Sequence, residues 1–393
     1  MLKRFLDIIS DKIINSIIRE KVVSIKTNKE SRGNVLISYI IPEVLRKRGR
    51  KITRIYHTNQ TDCLQITKIF LDLGYNIDII AFTNFKFIPK KKYSIFIDIY
   101  KNLERLAPIL NKDCIKILHI TGTQWLFRKQ VAYTRLLALQ RRKGVTLIPR
   151  RLTSKPAFGI EICDYAASIG NEFVVNTFAY ANKPIHRVPH STIVSYDFDE
   201  NKDFENNKKN FLWFGGSGLV FKGLDLVLEI FCEMPDYHLT VCGPIKREKD
   251  FETTYYKELY KTQNIKTIGW VNVYSQKFKD IIHNCIGFIH PSCAEGGSGS
   301  VVICLHAGLI PIVSYESGID IGDSGIILKE SSIKEIKSSI EKIGNLPTEE
   351  LKILSKKAWK YARANYTQDK FMEGYKKFIE NILLKNKHMY SYK

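Results

Sequence analysis

The chain has 393 residues, 44% hydrophobic and 26% charged, which excludes a disordered polymer and fits two soluble domains better than one core. Its 61 Lys and Arg outnumber 40 Asp and Glu, a net charge of +21, so an anionic partner is expected: nucleic acid, an acidic membrane surface or a phosphorylated ligand. No run of ~18 apolar residues occurs, which excludes a membrane-spanning helix, and the cysteines form no CxxC pair, which leaves no zinc or thioredoxin-type signal.

Residues 1–26 place Leu2, Phe5, Leu6, Ile9, Ile13 and Ile17 at helical spacing, flanked by Lys3, Arg4, Lys12, Arg19 and Lys21. The spacing predicts an amphipathic helix, lying on a membrane surface or docked on the body of the protein. Asp7, Asp11 and Lys12 interrupt its apolar runs, so it does not read as a signal peptide. A cytoplasmic protein with reduced, mostly buried cysteines is the expectation, with the inner face of the cytoplasmic membrane as a peripheral location.

From residue 34 short β-rich runs alternate with helical patterns. Strands are predicted at 34–40, 51–58, 76–82, 93–100 and 115–122, with a helix at 62–75. An arginine-rich helix is predicted at 125–143, and a helix, a turn at Gly170-Asn171 and a second helix over 161–180. The polar segment 196–210 reads as a domain boundary. The alternation then restarts: strands at 211–216, 237–243, 265–270, 287–290, 310–314 and 325–328, and helices at 222–234, 273–285, 300–307, 332–344, 348–365 and 368–385. Thr348, followed by Glu349 and Glu350, reads as a hydroxyl cap with acids at the positive helix end. Apolar strands alternating with helices predict parallel sheets covered by helices, an α/β fold.

Two glycine clusters carry the chemistry. At 289-IHPSCAEGGSGSVVICLHAG-308, Gly296, Gly297, Ser298, Gly299 and Ser300 lie between a buried strand and a helix. Ligands bind at such strand-to-helix turns, and a helix start favours a phosphate. Glu295 would repel phosphate, so it more plausibly accepts hydrogen bonds from sugar hydroxyls. At 215-GGSGLVFKG-223 a second glycine turn follows a strand but matches neither a P-loop nor GxGxxG, and Lys222 is placed to neutralise a diphosphate. Alone, that turn is equally well a structural bend with a solvated lysine.

His119 ends a strand and is a candidate for the site or a satisfied core histidine. His290 and His306 read as structural, and Trp213 and Trp270 as core. Trp125 could stack on a sugar ring. The basic runs 46–51, 89–92, 141–143 and 149–151, with 14 Lys/Arg against 5 Asp/Glu in residues 1–60, point to an anionic partner of the first domain. No zinc-finger, RNP1-like or basic-zipper pattern supports nucleic acid.

Over 211–330 the order of GGSGLVFKG, HLTVCGP, IKTIGWV and FIHPSCAEGG…HAGLIPIVS resembles the C-terminal domain of retaining glycosyltransferases of family four, of the GT-B fold. HITGTQW (119–125) and IGNEFVVNTFAY (169–180) resemble its first domain more loosely. The resemblance implies two Rossmann-like domains facing across a cleft: an extension at 1–32, an acceptor-side domain at 33–205, a nucleotide-sugar domain at 206–366 and a helix at 367–393 crossing back. It implies a nucleotide-sugar donor, a saccharide or lipid-linked acceptor, no metal and no other cofactor. Lys222 and Glu295 would carry the chemistry with His119. Gly216, Ser217, Gly243, Val271 and the 296–300 turn would hold the donor, and Gly122, Thr123 and Trp125 would stand with His119 on the acceptor side. Two positions depart from the pattern: Ser217 where an arginine is usual and Ile303 where a second glutamate is usual. An N-domain arginine or backbone N–H groups could substitute; otherwise the chain is a weak or inactive relative. The readings are therefore a metal-independent hexosyltransferase of surface polysaccharide, lipopolysaccharide or capsule synthesis, a non-catalytic GT-B-like partner of another transferase, and a nucleic-acid binder supported by charge alone.

Overall fold

The computed structural model describes residues 22–46, 58–152 and 155–386. Most of the helix expected over 1–26, of the strand expected over 51–58 and of the basic run 46–51 lies outside the described residues. In the first half, β1 (Val23–Ile25), β2 (Asn34–Tyr39), β3 (Asn76–Ala81), β4 (Ile95–Asp98), β5 (Ile115–Ile120), β6 (Tyr165–Ser168) and β7 (Ile185–Arg187) form one sheet in the order β1-β3-β2-β4-β5-β6-β7. All its pairs are parallel except β1 with β3. Val35 to Tyr39 of β2 are buried in sequence, as a central strand covered on both faces requires.

The second half repeats the plan. β8 (Asn210–Phe214), β9 (His238–Cys242), β10 (Ile265–Gly269), β11 (Gly287–His290), β12 (Ile310–Ser314) and β13 (Ile326–Leu328) form a parallel sheet in the order β10-β9-β8-β11-β12-β13. Its order reverses between β8 and β11, which opens a crevice at their carboxyl ends.

Three local readings change. Residues 23–25, expected at the end of a helix, are an edge strand against β3, because Val23 and Ile25 are β-branched and find a partner there. The helix–turn–helix expected over 161–180 is a short helix at Gly159–Ile162, then β6, then a short helix at Glu172–Asn176 whose cap is Asn171. A four-residue apolar run has too little length for its period to separate strand from helix, and pairing with β5 and β7 decides it. Thr348 is the first residue of its helix rather than its cap, and its hydroxyl donates to Glu205.

Six helices matter below: α1 (Thr58–Asp72), α2 (Trp125–Lys143), α3 (Leu224–Cys232), α4 (Gly299–His306), α5 (Thr348–Asn365) and α6 (Gln368–Lys385). The last of them, α6, crosses back, and Phe371, Tyr375, Phe378 and Ile382 pack with Val35, Ile37 and Ile79 of the first sheet. Helix α2 leans the other way. Leu139, and Leu147 just beyond it, join the cluster of Leu224, Val227 and Phe231. Arg142 pairs with Asp225 and Glu229 at 2.5 and 2.8 Å, Lys143 with Glu258 at 2.5 Å, and the Ile148 N–H donates to Asp250 at 2.8 Å. Arg150 also pairs with Asp250. The basic runs 141–143 and 149–151 thus find acidic partners within the chain.

Candidate active site

The chain leaves β8 through 215–223 and leaves β11 through 291–298, so both glycine clusters meet at the crevice. Their side chains meet too. Lys222 Nζ donates to Glu295 Oε1, with the two residues 5% and 4% exposed. Arg151 Nη2 lies 3.1 Å from Glu295 Oε2. Ser292 Oγ and His290 Nε2 lie 3.5 and 4.0 Å from Oε1. Burial alone would raise the Glu295 carboxyl, but the Lys222 and Arg151 charges override it and hold it well below the usual carboxylate range. Burial lowers the Lys222 ammonium, and the adjacent carboxylate limits the fall. Burial, and next the Lys222 charge, bring His290 down to about 3, so its ring is neutral at pH 7. Its Nε2 meets Ser298 Oγ at 3.2 Å.

The 215–223 turn is clamped from within. The Glu248 carboxylate, buried, accepts from the Gly218 and Leu219 amides at 2.5 and 3.1 Å. Those two amides are therefore committed to a protein anion, and Lys222 is the part of this turn that faces Glu295. Gly218 has φ +88°, and a Cβ there would stand 2.3 Å from Arg151 Cγ. Gly216 and Ser217 are exposed, Gly243 packs beside Gly215 and Trp213, and Val271 is buried against Val273 and Phe278.

The 296–300 turn lies against the first half. A Cβ at Gly296 would stand 2.2 Å from the Gly122 nitrogen and 2.3 Å from the Thr121 carbonyl carbon. Bare backbone at 296 therefore lets two domain backbones touch. Gly297 has φ +129°, and Gly299 faces Thr58 Oγ1. No side chain caps α4, since the Ser298 hydroxyl is held by His290, and Ser300 opens the helix half-buried. Ile303 is buried in the cluster of Val301 and Cys304.

Across Gly122, a cavity of 410 Å³ lies at the carboxyl ends of β2, β4 and β5. Phe82, Tyr100, Thr123, Trp125, Arg128 and Phe178 are among its walls. The Thr123 hydroxyl and the Trp125 Nε1 are buried without a hydrogen-bond partner among the described residues. His119 also lines this cavity, but its ring packs away from these polar groups. Leu118 and Ile120 pack with Ile160 and Phe178, and strand alternation turns the His119 ring to the opposite face. There its ring centroid is 5.5 Å from those of Tyr39 and Tyr375. Neither ring nitrogen has a partner among the described residues, and burial, then His190, bring it down to about 3. Trp270, expected in the core, is 65% exposed, while Trp213 is fully buried.

Sequence reasoning did not single out Arg151, Arg128, Glu248 or the proximity of His290. The run PRR at 149–151 was the available signal for Arg151.

Residues 195–363 match the family of glycosyl transferases group 1. A comparison with curated protein sequences gives no match. Among solved structures, sucrose-phosphate synthase of Thermosynechococcus elongatus superposes with a TM-score of 0.62 at 11% identity, over 91% of this chain and 100% of that one. HepE of Anabaena, solved with UDP and glucose, gives 0.55 at 11% identity over 88% and 99%. WaaG, a glycosyltransferase of lipopolysaccharide biosynthesis, gives 0.52 at 13% identity over 88% and 99%. Against some larger matching transferases the chain spans little more than half their length, 57% in one case. The chain thus has the GT-B fold, two α/β units each built on a largely or wholly parallel sheet, and its second half carries the sequence pattern of the group 1 glycosyltransferases.

Proposed function

We propose that this protein is a glycosyltransferase that moves a sugar from a nucleotide-sugar donor to a hydroxyl of a saccharide or lipid-linked acceptor, with retention and without a metal. The observation that carries the reading is the buried Lys222–Glu295 pair between two glycine turns at the switch point of the second sheet. A buried ammonium there supplies charge to a leaving diphosphate, and the uncapped start of α4 offers amides beside it. As the anomeric carbon–oxygen bond breaks, negative charge gathers on the diphosphate oxygen, and these groups stabilise it. Glu295 accepts hydrogen bonds from donor-sugar hydroxyls. The acceptor hydroxyl attacks the anomeric carbon from the side of the 410 Å³ cavity, whose aromatic walls suit a sugar ring or an apolar carrier, and its proton passes to the departing diphosphate oxygen. His119 is left out of this set because its ring is enclosed on the far face of β5.

Retention, the absence of a metal requirement and an acceptor at the inner membrane face rest on the family resemblance and on the basic first domain. A second reading has its own support: Ser217 is exposed, Ile303 is apolar and packed, and Glu248 holds two amides of the first turn. These features fit a GT-B protein that has given up catalysis and serves another transferase. Calorimetric titration with UDP, GDP and their sugar conjugates in EDTA, beside Lys222→Ala, separates the two. Metal-free binding of one nucleotide, weakened in the variant, supports the enzyme; no binding of any of them supports the partner.

A further inference from the structure

We propose that Arg151 and Arg128, both from the first half of the chain, are the second and third cations of the diphosphate site. The inference rests on the donor reading above. Arg151 follows α2, on a segment fixed to the second half by Leu147 and by the Ile148 and Arg150 bonds to Asp250. Its backbone is left-handed, φ +64°, which is rare for a residue with a side chain. That conformation sends the side chain along Gly218, where the absent Cβ leaves room for its stem, over the Phe221 ring at 5.9 Å and on to Glu295 at 3.1 Å. Ser217, beside Gly218, supplies no charge of its own. Arg151 therefore brings a guanidinium to the turn from outside it.

Arg128 arrives from the first turn of α2. Its guanidinium lies 5.3 Å over the same Phe221 ring, and its Nη1 is 3.1 Å from where a Cβ of Gly122 would stand. Its Nε is enclosed without a hydrogen-bond partner, and its side chain makes no hydrogen bond or ion pair among the described residues. Burial, and next the like charge of Arg151, lower it to about 10, which leaves it charged at pH 7. A guanidinium in that state needs an anion. Among the described residues Lys222, Arg151 and Arg128 share the carboxylate of Glu295, Glu248 is taken up by the 218–219 amides and Arg150, and His290 is neutral, so the cluster carries two positive charges in excess. A nucleoside diphosphate neutralises such an excess, and a monophosphate does so less fully. On donor entry the cations exchange part of their hold on Glu295 for phosphate oxygens, freeing the carboxylate for the sugar.

The test is calorimetry on the full chain in EDTA with UDP, GDP, UMP, GMP and inorganic pyrophosphate, for wild type, Lys222→Ala, Arg151→Ala, Arg151→Lys, Arg128→Ala and Arg128→Lys. Thermal melts confirm folding, and the lysine variants keep a cation where an alanine variant fails to fold. The expected result is a loss of diphosphate affinity of roughly 10- to 100-fold in each alanine variant, the span of one charge-assisted hydrogen bond. The monophosphate should lose less, so the diphosphate-to-monophosphate ratio shrinks, and Arg151→Lys should recover part of it. Diphosphate affinity within twofold of wild type in both arginine variants, with Lys222→Ala still weakened, overturns the inference and leaves the donor site standing. Equal losses for diphosphate and monophosphate mark a packing role and also overturn it. No binding of any probe by wild type removes the donor reading and this inference with it.

Discussion

Replacing Lys222 by methionine tests whether the pair with Glu295 is a functional device or a structural tie. Both residues are nearly fully enclosed, so the variant leaves a buried carboxylate that has lost its nearest charge. Breaking a buried pair by removing one partner costs about 3–5 kcal/mol. Arg151 still reaches Glu295 and is partly exposed, so about 3 kcal/mol is the better figure here. That corresponds to roughly 6–12 °C in the melting of a domain this size. The double variant Lys222→Met/Glu295→Met replaces both charges by apolar groups of similar length, and such swaps are often neutral or stabilising. It should regain part of the lost melting temperature, since Arg151 and Arg128 are left without the Glu295 charge. Nucleoside diphosphate binding should fall in the single variant, by about 10- to 100-fold, and should not return in the double. Differential scanning calorimetry and titration with UDP and GDP read the two quantities separately. Stability and binding recovering together would refute the reasoning, because the pair would then act only through the fold. Binding unchanged in the single variant would refute it more directly.

Gly296→Ala puts a methyl group against the backbone of Thr121 and Gly122 in the opposite half. Both domains should stay folded while small-angle scattering shows a larger radius of gyration; an unchanged radius and unchanged nucleotide binding would count against a tight seam. Phe371→Ala in α6 should cost about 3–5 kcal/mol in the first domain, since the ring is fully buried and stacks on Tyr375, whereas Trp270→Ala should shift stability by less than about 0.5 kcal/mol in the same denaturation assay. Asp62 is pushed by burial from 3.8 up to about 7, with its bond from Ser191 opposing the rise. Between about pH 4 and 7 the folded chain keeps a proton the unfolded chain has lost, so this residue's contribution falls as pH rises through that window. Wild type should therefore lose stability relative to Asp62→Asn over that range, and parallel melting curves would exclude the effect.

Periodicity and punctuation made the two sheets legible. Long apolar runs such as NVLISY and IPIVS can only be covered central strands, and Gly308 ends the helix that precedes IPIVS. The run YAAS was not legible, because four residues do not fix a period. Lys222 and Glu295 were legible one at a time, since each follows a strand. Their pairing was not, because 73 residues separate them and topology alone brings the ends of β8 and β11 together. Arg128 and Arg151 were harder still. Each sits in a basic, surface-like context, and only the docking of α2 on the second half carries them to the crevice. For His119 the strand-end position placed the residue along the cavity, but the direction of its ring was not legible, because that depends on alternation along β5.

The same docking constrains how the crevice can open. Between the halves, α6 holds to the first sheet and α2 to the second, so the polypeptide crosses the seam outside the linker near residues 196–210. Separation along the line between the two sheets would have to break the Arg142, Lys143 and Arg150 pairs and expose Leu139 and Leu147. Carrying α2 and the segment to Arg151 along with the second half breaks none of these. It gives up contacts where α2 meets the first half, such as the Gln124 amide bond to Thr177, and the backbone approach of Gly296 to Gly122. The second route is the cheaper, because a hydrogen bond lost to solvent costs about 1 kcal/mol and two buried leucines several times that. On that route Arg151 and Lys222 remain beside the β8 turn whether the crevice is open or shut. On the proposed donor reading, these two cations stand together before the domains close, and closure brings Thr121 and Gly122 back over Gly296.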